Sequence, residues 1–368
     1  MKRTFHIVLL LAAMALSATA QPVASWLESK HDFGVFMEQD GKATCQMRVV
    51  NTGNEPLLIV KAQASCGCTG LTYPQDAIMP GDTATVAITY NPSGRPGQFS
   101  KQALFFTNTV PKRSVLEITG NVIPTAATLD KQYPLQAGSL RISQGDIPMG
   151  EITRGKNKTQ YLSAYNASTD TILVSVQGGC NYIKPAVVPD TVPPARVTAL
   201  TVHYLSGQAP LWGLNIDTLT LHCRPLTQQS TAIDGSADIH VMAQVIEDFE
   251  SMTDQQRADA PVVGLDCGDR VDFGNMTAGD VVTRTFTITN KGKDKLAIRR
   301  LWAPQGEGVS VKSDKQEVKR GKAAKVTVTV DTSQQHDGIL NVPLTLLCND
   351  PDSPRVTIRL VGIIDNKK

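Results

Sequence analysis

Two thiols one glycine apart, Cys66-Gly67-Cys68 within "ASCGCTGLTYP", are the residues of this chain best equipped for chemistry. Paired cysteines serve as a redox couple, as thiolate metal ligands, or simply as small core-filling side chains. Cys45 lies on the apolar side of "TCQMRVV" with Met47 and Val49, so Cys45, Cys66 and Cys68 form a candidate thiol site. Side chains alternate along a strand, which puts Leu58, Val60, Ala62, Ala64, Cys66 and Cys68 on one inward face. In that geometry alternate residues stand about 6.6 Å apart with parallel side chains, at the limit of what a disulfide spans. A direct Cys66–Cys68 bridge is therefore not expected unless Gly67 breaks the strand. Core filling, a single bridge to Cys45, and redox or metal chemistry all stay open.

The other four cysteines fall on apolar faces of later strands. Cys180 aligns with Val174 and Val176, Cys223 with Leu219 and Leu221, Cys267 with Val271 and Phe273, and Cys348 with Leu344 and Leu346. In an oxidising compartment these become disulfide candidates, Cys180 with Cys223 and Cys267 with Cys348. Seven cysteines cannot all pair, so at least one thiol is left over or pairs between chains. His203, His222 and His240 occupy successive strands. His222 and Cys223 face opposite sides of theirs, so the two cannot join one metal site from regular geometry. No metal or other cofactor is expected.

The chain contains no G-x-S-x-G, no H-E-x-x-H and no phosphate-cradling glycine loop, and no catalytic residues are assigned. Asp-Thr followed by an apolar residue occurs at Thr83, Thr171, Thr191 and Thr218, resembling an O-glycosylation signal that some bacteria use on exported proteins.

The chain begins with Lys2 and Arg3, an apolar run from Ile7 to Leu16, and Ala18-Thr19-Ala20. That is the form of a cleaved signal peptide over residues 1–20, too short to span a bilayer, which needs roughly 20 apolar residues. Gln21 follows where a lipid-anchored precursor carries cysteine. No transmembrane segment and no lipid anchor are expected, and the expected destination is the periplasm, with the cell surface or secretion as alternatives. Removing Lys2 and Arg3 from the 36 Lys and Arg leaves 34, against 34 Asp and Glu. A formally neutral chain has no global field for phosphates, so nucleic acid is not an expected partner.

The elements that must position these residues repeat three times. "HDFGVF", "DIPMGEI" and "RVDFGNM" each read as a strand ending in glycine; each is followed by a strand ending at Asn51, Asn166 or Asn290; and each copy closes with a pair of strands. Period-two alternation bounded by Gly, Pro, Asn and Asp marks half-buried antiparallel strands. About seven strands in about 115 residues are expected of an all-β, immunoglobulin-like sandwich. The expected organisation is residues 21–124, 125–246 and 262–368 as three tandem sandwiches, with 247–261 a polar linker holding a short helix. "HDFGVF", "VVNTGNEPLLI", "ASCGCTGLTYP", "IMPGDTATVAITYNP", "GQFSKQALFFTN" and "LEITGNV", in that order, resemble the bacterial envelope family called domain of unknown function 1573. That family is similar in fold to Ig-like modules of ciliary and centrosomal proteins and to pilus chaperones.

The resemblance implies an exported, non-enzymatic Ig-like protein and supplies no catalytic residues. The expected role is binding a protein or cell-envelope partner through edge strands and end loops, at Asn51 to Glu55, Cys66 to Tyr73 and Thr107 to Lys112. Thiol-redox or metal binding at Cys45, Cys66 and Cys68, and assembly chaperoning, are the alternatives. The oligomeric state is not readable from the sequence.

Overall fold

The computed structural model describes residues 20–334 and 338–365. Apart from Ala20, the expected leader lies outside the described residues. Three β-sandwiches follow one another, each a pair of sheets closed on its own core. In the first, Ala24–Trp26, Ala43–Asn51, Thr83–Tyr90 and Thr69–Thr72 face Lys30–Met37, Arg113–Ile123, Gly97–Thr107 and Ile59–Ala64, each sheet given in spatial order. Between them lie Met47, Val86, Ile88, Phe105 and Ile118. The second core is built on Leu140, Met149, Tyr204 and Val241, the third on Phe273, Ile288, Val326 and Leu344. Each such side chain, fully buried, contributes roughly 1.5–3 kcal/mol.

Two details depart from the expected pattern. The first long strand of each copy does not end at its glycine: Lys30–Met37, Asp146–Thr153 and Arg270–Thr277 run through Gly34, Gly150 and Gly274. Each glycine sits in a bulge at positive φ, a conformation nearly free for glycine and costly for other residues. These strands also pair parallel, not antiparallel, with the last strand of their sandwich.

The three asparagines at the repeat landmarks are buried and bonded alike. Asn51 Nδ2 donates to Glu55 O (2.7 Å) and Ile78 O (2.9 Å), while its Oδ1 accepts from Gly53 N (3.0 Å). Asn166 repeats this with Asp170 O, Val192 O and Ser168 N, and Asn290 with Asp294 O, Val318 O and Gly292 N. A buried polar side chain is tolerated when its hydrogen bonds are made.

Neighbouring sandwiches are joined by unlike contacts. At the first joint, the Glu38 carboxylate accepts from Gly94 N (2.7 Å), Thr125 N (2.9 Å) and Thr128 Oγ1 (2.9 Å). Thr125 also caps the helix Ala126–Gln132, a helix at the start of the second expected sandwich that the all-strand reading does not include. At the second joint, Trp212 lies between the guanidinium groups of Arg154 (4.7 Å) and Arg299 (4.6 Å). Arg299 also donates to both oxygens of Glu247, at 2.8 and 3.0 Å. The helix Asp254–Asp259, with a Thr253/Gln256 capping box, lies within the expected linker.

Two predictions follow from these contacts. Asn290→Ala leaves the Asp294 and Val318 carbonyls unmatched and should cost the third sandwich about 2–3 kcal/mol in urea unfolding, whereas exposed Asn54→Ala should be nearly silent. Burial raises the Glu38 pKa, but the hydrogen bonds from Gly94, Thr125 and Thr128 outweigh it and hold the carboxyl below its ordinary value. A depressed folded-state pKa gives stability that is present above the unfolded value and lost as pH falls through the folded one. Wild type should therefore melt above Glu38→Gln at pH 7, and the gap should close on acidification below the ordinary carboxylate range.

Candidate functional site

The thiol region of the first sandwich is shaped by a bulge. Leu57 and Ile59 point inward, while Leu58 is 41% and Val60 69% exposed. The register against Gly97–Thr107 slips between Ile59 and Lys61. The slip resets the phase, so Ala62, Ala64 and Cys66 are half-buried and Cys68 is buried as expected, while the expected inward places of Leu58 and Val60 are corrected to exposed ones. The strand then ends at Ala64. Ser65 N donates to Gln102 O, and Thr69 N reaches back to Cys66 O at 3.4 Å, closing a turn around Gly67.

In that turn Cys66 and Cys68 are joined as a disulfide, with their Cα atoms 5.2 Å apart. This overturns the expectation against a direct bridge. Its premise was a regular strand through residue 68, and the chain leaves the strand two residues before the first cysteine. Cys45 is buried as a free thiol, paired opposite Ile88. Burial pushes its pKa up. The three thiols therefore form a bridge and a separate core residue.

The bridge lines an open cleft of about 340 Å³ whose other walls include Arg95, Phe99 and Lys101. Phe99 stacks on buried Tyr90, ring centroids 3.8 Å apart and 13° from parallel, giving the cleft a rigid floor. Arg95 is fixed by donating from Nη1 to Asn91 O (3.3 Å) and Ser93 O (2.8 Å). Thr69 Oγ1 stands 3.4 Å from Cys66 Sγ and 3.8 Å from Cys68 Sγ. Arg95 and Lys101 were not singled out by sequence reasoning, since Arg95 lies on the crossover into the Gly97–Thr107 strand and Lys101 within that strand, apart from the cysteines in sequence.

The other expected pairs are not formed. Cys180 is an exposed free thiol, carried off its strand by Gly178 and Gly179 at positive φ, while Cys223 is buried in the second core. Cys267 sits in the turn after Val263–Leu265, and Cys348 ends the Ile339–Cys348 strand with its thiol donating to Ser353 O at 3.3 Å. Both are free thiols, and burial raises the Cys348 pKa to about 11.

His203 Nδ1 pairs with Thr159 Oγ1 and His240 Nδ1 with Thr218 Oγ1. Among the described residues no group of three or more His, Cys, Asp or Glu is placed to hold a metal ion, and no helix is long and apolar enough to cross a membrane. Thr83, Thr191 and Thr218 are exposed, and Thr171 is half-buried.

Of the end loops, Asn51 is buried and leaves only its neighbours for contact. The Thr107–Lys112 loop lies at the same end: Asn108 Oδ1 accepts from Leu58 N (2.9 Å) and its Nδ2 donates to Pro56 O (3.0 Å). Cys66 to Tyr73 begins at the opposite end, toward the second sandwich.

Among solved structures, the fold is similar to a protein of unknown function from Porphyromonas gingivalis W83, at 16% identity and TM-score 0.44, covering 61% of this chain and all of that one. It is also similar to an ASH/PapD-like domain of human CEP192, at 14% identity and TM-score 0.25, covering 31% of this chain and 92% of that one. A third is the MSP family member WR4 of C. elegans, at 12% identity and TM-score 0.23, covering 29% and 98%. No functionally curated protein matches the sequence. Residues 264–363 match the family model described as HYDIN/CFA65/VesB-like, Ig-like domain. Residues 24–122, the whole of the first sandwich from its first strand to the end of its last, match the family described as Protein of unknown function (DUF1573).

Proposed function

We propose that this chain is a non-enzymatic exported protein that binds a protein partner in the cell envelope through the free tip and adjoining open edge of its first sandwich. The observation that carries this reading is Val110, 83% exposed on a loop held firmly from below. Thr107 N donates to Lys112 O (2.9 Å), Thr109 Oγ1 donates to Pro111 O (2.7 Å), and Asn108 anchors the loop to Pro56 and Leu58.

An apolar side chain presented on ordered backbone loses little entropy on docking. Leu58, Val60 and Met79 are exposed nearby, the bridge between Leu57 and Ile78 bringing their two segments to the same end. Beyond that bridge the Ile59–Ala64 strand has, among the described residues, a neighbour on one side only, Gly97–Thr107. An extended apolar segment of a partner would add to this edge through backbone hydrogen bonds and cover these side chains.

The test is chemical crosslinking in the native envelope with full-length protein. A Val60→Asp/Val110→Asp chain, with unchanged melting temperature, should lose at least about tenfold of the crosslinked partner, the scale expected when interface hot spots are removed. Recovery of the same partner in the same yield would overturn the reading.

A further inference from the structure

We propose that the Cys66–Cys68 bridge is a thiol–disulfide exchange site that accepts two electrons from a dithiol on a protein or peptide partner. This inference is independent of the tip reading, since the two surfaces lie at opposite ends of the first sandwich.

The fold does not depend on the bridge. The third sandwich puts Ala303 to Gly308, without a cysteine, where the first has its clip, and it closes the same pair of sheets around its own core. A bridge between residues two apart closes one of the smallest loops a chain can form, and loop closure constrains the unfolded state least when the loop is short.

Access is asymmetric. Cys66 is half-buried at the cleft wall and Cys68 is 6% exposed. Gly67 between them has open space where a Cβ would stand. An incoming thiolate therefore reaches Cys66 Sγ and leaves Cys68 as the departing sulfur. Arg95 and Lys101 line the cleft and no carboxylate does. Positive charge without a competing anion favours both the attacking and the departing thiolate.

The step balances without another oxidant. The partner's first thiolate bonds to Cys66 Sγ as the Cys66–Cys68 bond breaks. Cys68 departs with the electron pair, accepts a hydrogen bond from the Thr69 hydroxyl, and takes a proton from water. The partner's second thiolate then attacks its own sulfur in the mixed disulfide, and Cys66 leaves as thiolate and is protonated. The partner ends oxidised by two electrons, and the chain carries two thiols, one equivalent per chain.

The experiment uses full-length protein in a Cys180→Ser background, which removes the exposed free thiol. The probe is a reduced synthetic peptide with two cysteines. After acid quenching and alkylation, mass spectrometry should find both Cys66 and Cys68 alkylated in step with oxidised probe. Cys68→Ser, with Cys66 free, should capture the oxidised probe as a mixed disulfide on Cys66. Arg95→Gln/Lys101→Gln, which leaves both sulfurs in place, should slow exchange by about tenfold. Two results would overturn the proposal. One is a bridge that stays closed in the folded chain and opens only on denaturation. The other is exchange unaffected by removing both charges. Unfolding of a Cys66→Ser/Cys68→Ser chain, together with absent exchange, would mark the bridge as purely structural.

Discussion

The architecture rests on a buried side-chain amide used three times. At Asn51, Asn166 and Asn290 a strand ends inside the protein, where its last peptide groups and those of the incoming loop have no ladder to join. A carboxamide is suited to that place because one side chain offers two donors and an acceptor. It ties the loop four residues on and the segment about 26 to 28 residues on to the same point. Glycine follows two residues later in the first and third copies because a Cβ there would run into the backbone of the preceding strand segment, at Gln21 and Val23 or at Ala260 and Val262.

That device also explains how much the sequence reveals. The asparagines, the glycine landmarks and the alternating strands are local and repeated, so the sandwich class and its triplication are legible without coordinates. What escapes is local irregularity and distant pairing. The bulge at Val60 changes which side chains face inward without changing the composition of the segment, and from there the reading of Cys66 and Cys68 fails. Glu38 joins positions 56 and 87 residues away, and Arg299 meets Trp212 from 87 residues on. No window of sequence holds both partners. The cleft suffers likewise, with its sulfurs in one turn and its cations two strands further on, at the crossover into and within Gly97–Thr107.

The first sandwich thus carries two unlike surfaces on one frame. Its tip is apolar and held by hydroxyl and amide hydrogen bonds, while its inner end is cationic and sulfur-bearing, beside the joint with the second sandwich. The separation is imposed by the strands: Ala43–Asn51 starts near Glu38 and ends at the tip asparagine, so each end inherits its own loops. Binding at one end leaves the other open to solvent.

The bulged opening strands carry a consequence for a chain of three modules that share one strand plan. Lys30–Met37, Asp146–Thr153 and Arg270–Thr277 are outermost in their sheets, the place where a strand from a sister module would most easily intrude during assembly. A kinked glycine there, braced in the first and third copies by Asp32 and Asp272 accepting from the glycine N–H, spoils the template for any such swap. Three lookalike modules can then mature side by side without trading pieces.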